Sequence, residues 1–175
     1  MSLRPTTTSP DLWRCSLGRK TRGRIAQALG RTARVVRTMP NTPAMIGAGI
    51  TGLYAEPDVT PADRRVVETL LQSAGATVWI EDEAQMDAVT ALSGSGPAYF
   101  FLMIEALTKA GVAQGLPEAT ARKLALHTAL GAARMAVESP EDVALLRQRV
   151  TSPGGTTAAA LAAFADGGFE ALVAS

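Results

Sequence analysis

Apolar and polar positions change character near residue 83 of this chain. Before it, the pattern alternates between short extended runs and one amphipathic helix. Val35-Val36 open a β-like stretch that stops at Pro40, and Gly47 to Ala55, with Ile50, Leu53 and Tyr54, reads as a second strand after a turn. Thr60, Pro61 and Asp63 occupy the N-cap, first-turn and capping-box positions of a helix whose apolar face carries Val66, Val67, Leu70 and Leu71. Gly75 ends that helix, and Ala76 to Ile80 reads as a third strand. The result is a strand–helix–strand piece of the kind found at the edge of an α/β sheet.

From Glu83 onward the pattern predicts helices throughout. Pro97 opens one whose first turns, Ala98 to Ile104, are apolar on every side, which predicts a helix buried all round. The next runs from Pro117 to about Glu138. It has apolar residues at 121, 124, 125, 132, 135 and 136, with Thr128 on the same face, and a second set at 126, 130, 133 and 137, so its polar stripe is narrow. Small residues, Ala129, Gly131, Ala132 and Ala133, would let other helices approach closely. So much apolar helix surface is hard to bury within one subunit, which predicts a homo-oligomer, at least a dimer.

With 47% hydrophobic residues in 175, the chain can build a real core and by default forms one globular unit. Cys15 is the only cysteine, which excludes an intrachain disulfide and, with no Cys/His cluster, a structural metal. Its apolar runs, such as residues 98–104, are far too short for a membrane span. The expectation is a soluble, cytoplasmic protein without a membrane partner. The net charge of +1 conceals an asymmetry: residues 1–37 hold nine Arg or Lys against the single acid Asp11. Such a start has the composition of a nucleic-acid arm or an organelle transit peptide. It lacks interleaved aromatics beyond Trp13, so it reads instead as a tail or the remnant of an upstream domain, with no nucleic-acid partner.

Candidate chemistry concentrates in Thr151-Ser-Pro-Gly-Gly-Thr-Thr157, followed at once by an apolar run. Pro153 breaks a preceding helix and Gly154-Gly155 allow close backbone approach. A new helix can then start with unpaired N–H groups pointing outward. Such an end attracts anions, and the hydroxyls of Ser152, Thr156 and Thr157 could join the amides in holding a small carboxylate. The plainer alternative is a well-capped turn between two helices. His127, the only histidine, shares the polar stripe of its helix with Lys123, Arg134 and Glu138 and reads as solvated surface. Gly47-Ala-Gly49-Ile-Thr-Gly52 matches the G-x-G-x-x-G spacing of a dinucleotide loop. It leads into an extended segment rather than a helix, so its glycines read as packing or turn residues.

Three blocks in order, Arg37-Thr-Met-Pro-Asn-Thr-Pro43, Ala91-Leu-Ser-Gly-Ser-Gly-Pro-Ala-Tyr99 and Val150-Thr-Ser-Pro-Gly-Gly-Thr-Thr157, resemble the successive signatures of the pyrroline-5-carboxylate reductases, which make proline. The resemblance covers residues 34–173. It implies a mainly α fold class: a partial α/β Rossmann remnant followed by an all-helical dimerisation domain similar to the C-terminal domain of 6-phosphogluconate dehydrogenase. The corresponding domains are a basic tail or remnant at 1–33, the last part of a Rossmann-type cofactor domain at 34–82, and a helical dimerisation and substrate domain at 83–175. It further implies NADPH or NADH as cofactor, with Met39, Pro40, Asn41 and Thr42 forming the loop beside the nicotinamide. Ser152, Gly154, Gly155, Thr156 and Thr157 would bind the small-molecule substrate, the Thr157 hydroxyl also lying near the imine nitrogen as the catalytic group. No metal is implied.

The chain departs from that family in lacking the glycine fingerprint that binds the cofactor pyrophosphate, so it reads as truncated or split. Residues 1–24 match nothing in the family, and residues 24–30 only hint at its usual helix. The acidic residue that the family carries ahead of the substrate loop has three candidates here, Glu138, Glu141 and Asp142. A second reading therefore stands beside the reductase: a non-catalytic helical oligomerisation module that has lost its cofactor.

Overall fold

A computed structural model describes residues 14–17, by their backbone, and residues 34–175. Contacts divide the chain into two compact units, the described residues up to Met103 and Ile104–Ser175, where the composition alone suggested one.

The first unit is built on a four-stranded sheet in the order β1-β2-β3-β4. Its strands are β1 (Arg14–Leu17), β2 (Val35–Pro40), β3 (Gly49–Ala55) and β4 (Gly75–Trp79). β1 runs parallel to β2, β2 antiparallel to β3, and β3 parallel to β4. Helix α1 (Pro61–Leu71) joins the last two strands, so the strand–helix–strand piece expected from the sequence is present. β1 lies inside the segment read as a tail or the remnant of an upstream domain. Four residues are too few to show a period-two pattern, and only pairing reveals it as a strand. The hinted helix at residues 24–30 lies outside the described residues.

β2 is one of the two interior strands. Val35, Val36, Arg37 and Thr38 are all buried, as expected for a strand covered on both faces. On one face Val36, Leu53, Ala55, Val59 and Val67 form the core, with Leu71 and Trp79 packed against it. The helix presents only part of its apolar stripe to this core: Val67 is buried, whereas Val66 and Leu70 stand exposed in the single chain. Arg64 reaches back to cover the Trp79 ring, its guanidinium carbon 4.4 Å from the ring centroid. The other face receives residues 83–95: a 3-10 turn (Glu83–Gln85), the short helix α2 (Met86–Val89) and a π-helical turn (Thr90–Gly94). A Cβ added at Gly52 would meet Val89 Cγ1 at 2.7 Å, so that glycine permits the segment to sit on the sheet. The apparent dinucleotide loop is thus a packing feature leading into β3.

α1 begins as its sequence requires. Thr60 Oγ1 accepts from Asp63 N–H at 3.2 Å and Asp63 Oδ2 accepts from Thr60 N–H at 2.9 Å, a complete capping box. The helix ends at Leu71, four residues before Gly75; a 3-10 turn (Gln72–Ala74) fills the gap and Gly75 starts β4 instead. The Thr60 hydrogen bonds, and then the Arg34 guanidinium, hold the Asp63 carboxyl below its ordinary value of 3.8. A depressed folded-state value means that its stabilisation is present above the unfolded value and lost as pH falls through the folded one. Thr60→Ala should cost about 1 kcal/mol in a urea titration at pH 7. Asp63→Asn should lower stability at pH 7, and the difference from the parent should shrink below pH 4.

The remaining helices are α3 (Gly96–Ala113), α4 (Glu118–Glu138), α5 (Val143–Arg149), α6 (Thr156–Asp166) and α7 (Phe169–Ala174). The starts of α3 and α4 and the end of α4 follow the sequence pattern closely, but burial does not. Tyr99, Phe100, Phe101 and Leu102 on α3 are 59–67% exposed, so the helix expected to be buried all round is open in the single chain. Beyond Ile104 only Ala121 and Ala125 are buried. Among the described residues no helix is long and apolar enough to cross a membrane.

Candidate functional site

In the second unit, α5 leads into the Thr151–Gly155 loop and α6 leads out of it. Thr151 is tied to α5 twice: its N–H donates to the Gln148 carbonyl at 3.0 Å and its Oγ1 to the Arg147 carbonyl at 2.7 Å. The helix has ended at Arg149, Pro153 has no N–H to extend it, and Gly154 turns the chain with φ of 70°, a left-handed conformation that side chains resist. Gly155 closes the turn by donating its N–H to the Ser152 carbonyl at 3.1 Å. A Cβ there would lie 2.6 Å from Ser152 Oγ, so a side chain on Gly155 would push that hydroxyl aside.

Gly155 is also the N-cap of α6, and no side chain caps that helix. This counts against the plainer alternative of a well-capped turn. An eleven-residue helix begins here with its first amides free of side-chain acceptors, flanked by the Thr156 and Thr157 hydroxyls, with the Ser152 hydroxyl packed beside Gly155. Aligned peptide dipoles make such an end partly positive, and free N–H groups give it directionality toward an anion. The three acids considered upstream are each engaged locally. Glu138 pairs with Arg134 at 3.1 Å, Glu141 pairs with Arg149, and Asp142 Oδ1 caps α5 through Ala144 N–H at 2.7 Å.

In the first unit, Met39 and Pro40 end β2, Asn41 is the N-cap of a 3-10 turn (Thr42–Ile46), and Thr42 is its first residue. The carboxyl ends of strands are where α/β sheets ordinarily receive ligands. Two contacts that sequence reasoning missed fix this end of β2. Arg37, almost fully buried, pairs through Nη1 with Glu83 Oε1 at 3.2 Å, leaving its Nε without a hydrogen bond. Met39 Cε packs where a side chain on Gly94 would stand, only 2.8 Å from an added Cβ. The first and second sequence blocks are therefore in contact, which spacing alone cannot reveal.

His127 is exposed, as its stripe predicts, and lines a shallow depression on α4 with Ala119, Thr120, Lys123, Leu124 and Thr128. That depression shares no residue with the Ser152–Thr157 loop. Among the described residues no group of three His, Cys, Asp or Glu could hold a metal ion.

Residues 83–175 match the family model described as pyrroline-5-carboxylate reductase dimerisation, which is more than half of the chain. The chain belongs to the pyrroline-5-carboxylate reductase family. A pyrroline-5-carboxylate reductase of Pseudomonas aeruginosa is 55% identical over 145 residues, 83% of this chain and 53% of the relative. Among solved structures, the reductase of Coxiella burnetii superposes with a TM-score of 0.85 at 44% identity, covering 87% of this chain and 57% of that one. The Plasmodium falciparum pyrroline carboxylate reductase, whose structure has NADP bound, gives 0.78 at 35% identity over 87% of this chain and 61% of that one. The mainly α fold, a partial Rossmann sheet followed by a helical dimerisation domain, is that of these reductases. The chain spans about half the length of the curated reductases it matches.

Proposed function

We propose that this chain carries the substrate-binding and oligomerisation parts of an NAD(P)H-dependent reductase that converts 1-pyrroline-5-carboxylate to L-proline. The observation that carries the proposal is the uncapped start of α6 behind the Gly154-Gly155 turn. A cyclic imine bearing a carboxylate needs that carboxylate anchored so that its C=N carbon is held still. The amides at Thr156 and Thr157, with the hydroxyls of Ser152 and Thr156, are suited to the anchoring, and the turn at Gly154 and Gly155 shapes the approach. The Thr157 hydroxyl is the group we assign near the imine nitrogen, where a proton is gained as the carbon gains hydride. NAD(P)H supplies that hydride when bound. Met39, Pro40, Asn41 and Thr42 form the loop we assign to its nicotinamide end. The exposed aromatic face of α3 and the open faces of α4 supply the surface for a second copy of the chain.

The one G-x-G-x-x-G spacing in the sequence, residues 47–52, runs into β3 and not into a helix, and most affinity for the pyrophosphate comes from a strand-to-helix turn. The chain by itself should therefore bind NADPH weakly, with Kd above about 100 µM by calorimetry, a loss in line with removing several charge-assisted hydrogen bonds. The deciding experiment is NADPH oxidation at millimolar cofactor with and without 1-pyrroline-5-carboxylate. Consumption that requires both the chain and the imine supports the reductase. Bound L-proline without any consumption would favour the non-catalytic oligomerisation module.

A further inference from the structure

The β2–β3 ladder ends at the pair Pro40↔Thr51, so Asn41 and Ile50 would form the next rung. The rung is made by a side chain instead: Asn41 Oδ1 accepts from the Ile50 N–H at 3.0 Å. Between these residues the chain folds back on itself. The Asn41 carbonyl accepts from Ala44 N–H at 3.1 Å, the Ala44 carbonyl from Gly47 N–H at 3.1 Å, and the Pro43 carbonyl from Ala48 N–H at 3.1 Å. The backbone of Ala44 lies so close over Gly49 that an added Cβ would come within 2.7 Å of it. The loop thus leaves the sheet at a point set by one carboxamide.

A carboxamide has one accepting oxygen and one donating nitrogen. With its oxygen engaged at Ile50, Asn41 offers a ligand chiefly its N–H donors. We propose that Asn41 is a positioning residue: its oxygen terminates the β2–β3 ladder and holds the Met39-to-Thr42 loop in the shape that receives the nicotinamide, while its side chain does not itself recognise the cofactor. This rests on the reading of that loop as the nicotinamide loop. It separates two roles that a sequence motif merges, because acceptor and donor can be removed one at a time.

Asn41→Asp keeps an acceptor oxygen and loses the donors; Asn41→Ala loses both. The probe is reduced nicotinamide mononucleotide, which needs no pyrophosphate loop, titrated into the whole chain and followed at the amides of Met39, Asn41 and Thr42 by NMR. Amide exchange of Ile50 is measured on the same samples. In the alanine variant Ile50 should exchange about tenfold faster and the probe should bind about fivefold more weakly, the effect of losing one ordinary hydrogen bond. In the aspartate variant both should stay within about twofold of the parent. Equal weakening in both variants would mean direct recognition and overturn the proposal, as would unchanged Ile50 exchange in the alanine variant, or faster exchange with unchanged binding. If the parent shows no probe-induced shifts while Ile50 still responds to Asn41→Ala, the nicotinamide reading fails and the positioning role goes with it. Should Asn41→Ala not fold, Asn41→Gln moves the oxygen outward by one methylene and gives the same comparison.

Discussion

Thr157→Val should weaken binding of L-proline to this chain by about ten- to a hundredfold, because a hydrogen bond to a charged group is worth roughly 1.5–3 kcal/mol. Thr157 is the second residue of α6, where its hydroxyl stands beside a backbone amide that no side chain caps. Valine keeps the β-branched shape and leaves the amide in place, so the substitution removes one donor and little else. Melting temperature should hardly move, since no side chain caps this helix in the parent. Calorimetry for affinity and a thermal melt for stability, on the same protein, check both halves. Unchanged affinity beside a lowered melting temperature would reduce Thr157 to a turn residue and remove the substrate assignment.

Phe101→Asp should convert the oligomer to monomer at micromolar concentration. Tyr99, Phe100, Phe101 and Leu102 are consecutive on α3, so their exposure extends around most of the helix. A helix open on so many sides is covered by another molecule or is an aggregation site. A carboxylate placed in an obligate apolar interface is left buried and unpaired, which costs several kcal/mol and lowers association by a thousandfold or more, roughly. Light scattering reads the outcome directly. A parent protein that is already a stable monomer, or a variant with unchanged mass, would refute the assignment of this face.

The legible parts of the fold are those written in local chemistry. Thr60, Pro61 and Asp63 announce a helix start because the capping box is an interaction among neighbours. The strands at β2, β3 and β4 show in their β-branched and apolar runs, and the α6 start shows in Pro153, Gly154 and Gly155. What could not be read is pairing across distance. β1 is visible only once Arg14–Leu17 lies beside Val35–Thr38. The division of the α1 stripe into buried Val67 and exposed Val66 depends on where the sheet sits. At the candidate site, the anion-attracting helix start was readable and its lack of a side-chain cap was not, since Ser152 could as well have capped it. The Asn41–Ile50 bond has no local signature, because its partners are nine positions apart and the chain between them could accommodate several turns.

Residues 104–175 bury only two alanines, Ala121 and Ala125, in the single chain. An element set with so little interior of its own draws its cohesion from whatever it meets, and mass action then enters its thermodynamics. Its melting point should climb with the logarithm of chain concentration, so that dilution acts on this half of the protein as a denaturant does on others. Refolding should likewise contain a second-order phase whose rate is set by how often two chains meet.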